Sequence, residues 1–417
     1  VKLHISSPSE LIDSPVSFRV SDTEASSVVL VVRVTDAEGH PWQSIHDYQV
    51  GDDGVVEIPD PDEPWTSMEF VSEATAPVVF TGCETGLDFV ITATAEREAA
   101  SLTVRRSWGV GLVTDRIEGD GWVLACYRPA VTEGPLPGVI VVPGTLVSGA
   151  TQATAALFAS HGYAAGVLYY TQQPGLPDSV ARIAVESIEA GMRSFAALLY
   201  VDSERVAVHA GSVGCQTALA TLSGARDFRA KAVVLVAPSH VVFQALRNDG
   251  PPPKASALTR GAVDLPYVPV KAEKLFSQLI KNQVRRLFSR RPTSMAIATR
   301  TAYAAGLADG DAVEAAVIPV EEVDAPILGI AGDDDQSYPA DEMVRAIMDR
   351  RSSAGVGAAD ELHVYTGAGH FIRPPATPTT VDRSDGLVAG GTPRGSAVAQ
   401  RDAWNRTLAF LGTHLGG

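Results

Sequence analysis

The sequence predicts an α/β protein in which a mostly parallel sheet is covered by helices and preceded by a small antiparallel β-sandwich. Three observations carry that prediction. The first hundred residues hold short β-type runs cut by turn clusters, with no helical period of useful length. After about residue 106, apolar runs alternate with amphipathic stretches, the pattern of a parallel sheet with helical crossovers. The 417 residues exceed what one small domain needs and leave room for two or three units with cores of their own.

In the first unit, residues 1–105, the β-type runs are 16–20, 28–34, 54–58, 77–81 and 87–95. Between them lie Asp36-Ala37-Glu38-Gly39, Gly51-Asp52-Asp53-Gly54 and Pro59-Asp60-Pro61-Asp62, whose residue types favour turns. Short strands at this spacing read as an immunoglobulin-like sandwich. In the second unit, residues 106–417, strands are expected at 139–142, 165–170, 205–209, 232–237, 326–331 and 361–365. Helices are expected at 153–161 and 179–199, the latter with Val180, Ile183, Ile188, Met192, Phe195 and Leu199 largely on one stripe. Residues 239–320 are too long for a simple connection and open on Pro251-Pro252-Pro253, which reads as a helical cap or lid insertion. Residues 374–396, rich in Pro, Thr, Gly and Asp, read as a loop.

Composition narrows the function. Hydrophobic residues at 45 % and charged residues at 20 % describe an ordinary globular chain. With 33 basic and 49 acidic residues the net charge is −16, which argues against nucleic acid or an anionic membrane as a partner of the whole chain. Cys83, Cys126 and Cys215 are odd in number and far apart, so neither disulfides nor a metal site is expected. The first residues lack an apolar leader and no uninterrupted apolar run is long enough to span a bilayer, so the expected location is cytoplasmic.

The strand Arg205-Val206-Ala207-Val208-His209 runs into Ala210-Gly211-Ser212-Val213-Gly214 and then a helix-like segment. This is a small-x-Ser-x-small elbow, with Ala210 where the first glycine usually stands. Bulk two positions either side of the serine would collide with the neighbouring strand and helix. The alternative is a strand-to-helix turn whose serine merely caps the helix. Downstream, Gly332-Asp333-Asp334-Asp335 follows an apolar strand, where a carboxylate can orient a histidine. Asp335 is the expected acid and Asp334 the reserve, against the reading of an acidic surface turn. His370 sits in the glycine-rich loop Gly367-Ala368-Gly369-His370-Phe371 after the next strand. Serine, aspartate and histidine, each just past a strand and in this order, are the chain order of the α/β-hydrolase fold. The oxyanion-binding N–H groups are expected from Val213 and from Thr145 or Leu146 in the turn after strand 139–142. Cys215, one helical turn past the elbow, is a competing nucleophile whose side chain should point away from the mouth.

Nearly the whole chain resembles the acyl-CoA thioesterase and bile acid-CoA:amino acid N-acyltransferase family. The likeness rests on Pro137-Gly138-Val139-Ile140 before Gly144-Thr145, on Gly162-Tyr163-Ala164 leading to Leu168-Tyr169-Tyr170, and on Leu176-Pro177. It continues through the Ser212 elbow, Ile318-Pro319-Val320-Glu321, Gly367 to Ile372 with Pro374-Pro375, and Ala399-Gln400-Arg401-Asp402-Ala403-Trp404. The Trp42 to Tyr48 segment is similar to the family's N-terminal domain. The resemblance implies an α/β-hydrolase fold and acyl-thioester chemistry, with Ser212, Asp335 and His370 as nucleophile, acid and base. It implies no cofactor beyond CoA as part of the substrate, and a small acyl thioester or an acyl carrier protein as partner. Thr145-Leu146-Val147-Ser148-Gly149 is bulkier than the family's glycine run, and the amidating branch characteristically carries cysteine at the elbow. Serine there tilts the expectation toward hydrolysis. Transfer to an amine or alcohol, and a catalytically silent binding protein, are the alternatives.

Residues 271–291 carry Lys271, Lys274, Lys281, Arg285, Arg286, Arg290 and Arg291 against the single acid Glu273. Phe276, Ile280, Val284 and Phe288 recur every four residues, so an apolar face is expected to pack on the domain. Lys281, Arg285, Arg286 and Arg290 are then candidates to dock CoA phosphates or an acidic carrier at the pocket entrance, against the reading of a solvated basic helix.

Overall fold

The computed structural model describes residues 1–71, 79–145, 149–247, 252–288, 296–380 and 387–416. Part of the expected 77–81 strand, together with Leu146, Arg290 and Arg291, lies outside the described residues.

The N-terminal region folds into two antiparallel sheets. Lys2–Ser6, Ser17–Ser21 and Val56–Glu57 form one, and Glu69–Phe70, Pro41–Gln49, Ser27–Thr35, Leu87–Ala95 and Glu98–Arg106 form the other in that spatial order. Alternate residues such as Val28, Leu30, Val32 and Val34 are buried, as a one-sided sheet requires. Strands 41–49 and 98–106 were not anticipated because their apolar residues are too sparse to read as β-runs.

The large sheet has eight strands: β1 (Leu112–Gly119), β2 (Trp122–Pro129), β3 (Leu136–Val142), β4 (Ala164–Tyr169), β5 (Val201–Gly211), β6 (Ala232–Val236), β7 (Ile327–Gly332) and β8 (Glu361–Tyr365). Their spatial order is β8-β7-β6-β5-β3-β4-β2-β1. The β1–β2 and β2–β4 pairs are antiparallel and every other pair is parallel, which is the α/β-hydrolase arrangement. The central strands are buried on both faces and therefore read as continuous apolar runs. In the β1–β2 hairpin, β1 is too polar to give such a run, whereas β2 carries one from Trp122 to Tyr127 that was not read as a strand.

Strand alternation divides the core in two. Ile140, Val142, Val208, Leu235 and Ile327 face α2 (Val185–Ala196), α3 (Val213–Leu222) and α6 (Ala340–Ser353). Val139, Val141, Ala207, Val234 and Ile330 face α1 (Gly149–Ser160), α7 (Pro393–Leu415) and, beyond them, the sandwich. The helix expected from residue 179 starts at Val185, because Ile183 and Ala184 are drawn into a short parallel pairing with Leu258 and Thr259. α7 begins at Pro393 within the stretch read as a loop, with Thr392 accepting the Gly395 N–H as its cap.

The insertion holds α4 (Phe276–Phe288) and α5 (Arg300–Leu307) with short strands before them and Gly310–Ala316 after. Val241, Phe243, Leu258, Val268 and Tyr303 join the α2/α3/α6 side of the core. Much of the insertion is thus a lateral layer rather than a free lid. The expected apolar seam of α4 is not made: no residue of that helix is buried.

Across the sandwich boundary, Arg401 Nη2 and Nε reach the Asp62 carboxylate at 2.6 and 2.8 Å, and Trp404 Nε1 donates to Asp13 Oδ2 at 2.8 Å. The Thr379 N–H donates to the Thr66 carbonyl at 2.8 Å, and Thr380 Oγ1 donates to the Met68 carbonyl. Both threonines belong to the segment that follows His370.

Candidate active site

β5 and α3 are joined at Ser212, whose φ of 54° and ψ of −126° lie in a region that L-residues rarely occupy. Such a conformation is strained and persists only where neighbours fix it. Here the Ser212 N–H donates to the Val236 carbonyl of β6 at 2.8 Å. Two positions on, a Cβ at Gly214 would stand 2.5 Å from the carbonyl oxygens of both Val142 and Pro143, so only glycine lets α3 start this close to the end of β3. Two positions back, Ala210 is fully buried. The small residues flanking the serine therefore have identified neighbours.

Ser212 Oγ lies 2.9 Å from His370 Nε2, and His370 Nδ1 lies 2.7 Å from Asp335 Oδ2. Asp335 is fully buried and its other oxygen accepts the N–H groups of Ser337 and Tyr338 at 2.8 and 2.9 Å. Those bonds fix the carboxylate with one oxygen left for the imidazole. The neighbouring aspartates serve the loops: Asp333 accepts the Gly367 N–H, and Asp334 accepts from Gln336 and the Gly391 N–H. In this geometry Asp335, not the reserve Asp334, faces the ring. Arg300 of α5 donates to the Asp335 and Tyr338 carbonyls at 3.1 and 3.2 Å, clamping the acid turn from the insertion side. The Tyr338 ring meets His370 edge-on at 5.6 Å and is itself backed by Tyr303 and Phe243.

Cys215 is fully buried, with Sγ within 3.3 Å of the Ala210 carbonyl, and burial pushes its thiol pKa far up. That setting suits core packing and not nucleophilic attack.

A cavity of about 430 Å³ opens beside Ser212 and His370. Its floor includes Val141, Val142, Ile330 and Trp404, and Pro143, Gly144 and Thr145 border the serine. The Val213 N–H is the first of α3 and so has no acceptor within the helix. The Thr145 carbonyl accepts from Gln172 Nε2 at 2.6 Å, which fixes that peptide beside the serine. A Cβ at Gly144 would come within 3.2 Å of Ser212 Cβ, so glycine allows the turn its close approach.

Several wall residues were not anticipated. Glu38, Val79 and Thr81 come from the sandwich, and Arg373 from the loop after His370. Arg373 Nη1 donates to the Phe80 carbonyl at 3.3 Å and the guanidinium lies over the Phe371 ring; burial pushes its pKa down to about 10. The cue available for it was a cation three residues past the histidine in an apolar, proline-bounded loop. His209 on β5 also lines the cavity, and burial lowers its pKa to about 4. No described residue of 239–320 lines the cavity; among the described residues its outer wall comes from the sandwich and residues 371–374. Lys281, Arg285 and Arg286 likewise lie off the cavity wall. Among the described residues, no cluster of three His, Cys, Asp or Glu could hold a metal ion.

A family model described as BAAT / Acyl-CoA thioester hydrolase C terminal matches residues 183–417, more than half of the chain. The chain is 22 % identical to acyl-coenzyme A amino acid N-acyltransferase 1 of Mus musculus over 100 % of its own length and 98 % of that protein's. It is 26 % identical to mouse acyl-coenzyme A thioesterase 3 over 68 % of itself and 60 % of that protein. It is 33 % identical to the mouse peroxisomal succinyl-coenzyme A thioesterase over 24 % of itself and 25 % of that protein.

Proposed function

The chain belongs to the BAAT / acyl-CoA thioester hydrolase family, and on that premise we propose that it cleaves an acyl-CoA or related acyl thioester through Ser212, His370 and Asp335. The observation that carries this reading is the unbroken hydrogen-bonded line from a buried carboxylate through the imidazole to a strained serine at a largely apolar cavity.

His370 Nε2 takes the Ser212 proton as Oγ attacks the thioester carbonyl carbon. The resulting oxyanion would be met by the N–H group of Val213, held at the head of α3, and by a second from the turn after β3, that of Thr145 or Leu146. Collapse breaks the C–S bond, and His370 returns the proton to the leaving thiolate. Water, deprotonated by His370, then attacks the acyl-serine carbonyl; the C–Oγ bond breaks, His370 returns the proton to Ser212 Oγ, and the acid leaves. Asp335 keeps the ring in the tautomer with its proton on Nδ1 and stabilises the imidazolium. The acyl chain would occupy the floor of Val141, Val142, Ile330 and Trp404, where its methylenes leave water at roughly 0.8 kcal/mol each.

Transfer of the acyl group to an amine is the second reading, favoured by the full-length similarity to an N-acyltransferase. Serine at the elbow supports water as the acceptor. A panel of acyl-CoAs, assayed for thiol release and product mass with and without amines, tests both. Free acid as the product supports hydrolysis, an amide supports transfer, and no thiol release from any acyl-CoA or acyl carrier thioester overturns the proposal.

A further inference from the structure

Helix α4 is attached to the protein by its polar face. Gln278 Nε2 donates to the Ala298 carbonyl at 2.9 Å and its Oε1 accepts the Ala298 N–H at 3.0 Å; Asn282 Nδ2 donates to the Ala296 carbonyl at 3.1 Å. At 100° per residue the opposite side collects Phe276, Leu279, Ile280, Val284 and Leu287, with Phe288 at its margin, Gln283 among them and Ser277 between Val284 and Phe288. All six apolar side chains are exposed, Ile280 by 64 %, Leu287 by 79 % and Phe288 by 83 %. Lys281 and Arg286 fall along the two margins of this strip, Arg285 lies behind it, and the helix contains no acidic residue.

We propose that α4 is an interfacial helix that lays its apolar strip into the headgroup region of an anionic phospholipid surface. Apolar side chains outward with cations along the margins is the arrangement such helices use to lie flat, the cations meeting lipid phosphates as the strip inserts. With 13 residues it is about 20 Å long, enough to lie on a bilayer but too short to cross one. Charge complementarity selects the occupant. The whole chain carries −16 and is repelled by an anionic surface, whereas this helix and the turn before it, with Lys271 and Lys274 against Glu273, present a local positive field. A second copy seated strip to strip would bring the marginal cations of both helices together with no acid on either helix to offset them.

The placement also has a geometric sense. α4 is tied to residues 296–298, and Ile297 pairs with Leu387, a residue of the cavity wall, while the Val388 N–H donates to the Ile297 carbonyl at 3.0 Å. A membrane under α4 would therefore lie near the wall of the cavity. The inference stands on α4 alone and does not depend on the thioester reading.

The test is co-sedimentation of the full chain with phosphatidylcholine vesicles, with and without phosphatidylserine as about a third of the lipid. Binding to the anionic vesicles should be at least about tenfold tighter and should weaken as salt is raised. Joint Ile280→Ser and Leu287→Ser should lower it about tenfold or more, and joint Lys281→Glu and Arg286→Glu should remove the preference for anionic lipid, with the thermal melt of both variants unchanged. Failure of the parent chain to sediment with anionic vesicles, or variants that bind as the parent does, would overturn the proposal. So would a dimer in solution that Ile280→Ser dissolves, since a second copy would then cover the strip.

Discussion

Helices α3 and α4 are of similar length and both are rich in apolar side chains, yet all ten residues of α3 are buried and none of the thirteen in α4 is. The difference lies in how each helix is delivered. α3 leaves the end of β5 through a turn so tight that Gly214 lies against the Val142 and Pro143 carbonyls, and the helix packs on β3 and β5 beside α2. α4 is reached through a long insertion and is tied down by two amide side chains on its polar face. Burying a Leu- or Phe-sized side chain stabilises by roughly 1.5–3 kcal/mol. α3 realises that gain within the fold, whereas α4 leaves it available to something outside the fold.

The largest expected effect lies at the head of α3. Ser212→Ala should lower thioester turnover by at least about a thousandfold, while the thermal midpoint stays near that of the parent, because the hydroxyl serves the chemistry and not the packing. Retained turnover would separate the buried helix from the reaction. Next, Leu219→Ala inside α3 should cost about 2–5 kcal/mol in urea unfolding, through lost burial and the cavity left behind. The matched change Leu287→Ala in α4 belongs at the bottom of the scale, within about 0.5 kcal/mol; a loss like that at Leu219 would mean that the two helices are not opposites.

Between these extremes stands the pH response of the strand that feeds α3. His209 has its pKa lowered by burial to about 4, below the 6.5 it regains on unfolding, and His240 is lowered by burial in the same way. The unfolded chain therefore binds more protons between these values, and stability falls as pH drops from about 6.5 toward about 4. Thermal melts across that range should show the decline, and His209→Gln should flatten it. An unchanged slope in the variant would place the titration elsewhere.

Much of the candidate site was legible because Ser212, Asp335 and His370 carry local signatures. A small-x-Ser-x-small turn, an aspartate past an apolar strand and a histidine between glycines each announce themselves within a few residues. The parallel strands were legible for a related reason, since burial on both faces leaves an apolar run. The cavity wall was not. Glu38 and Thr81 reach the cavity that Ser212 also lines only because the sandwich docks against α1 and α7, a relation between distant segments that no local period encodes. α4 shows a further limit. Its four-residue spacing identified which side chains share a face, but the direction of that face was decided by Gln278 and Asn282, whose partners lie 20 and 14 residues away.

The threonine bonds that join the segment after His370 to the sandwich make that segment a mechanical linkage. Thr379 and Thr380 hold its far end to Thr66 and Met68, and Arg373 holds its middle to Phe80, while its near end carries the imidazole. A shift of the sandwich against the large sheet would pull on a nine-residue tether ending at His370. His370, the proposed base, is thus braced by a domain that supplies none of the three proposed catalytic residues, and substitutions in that domain are expected to alter turnover from a distance without touching substrate.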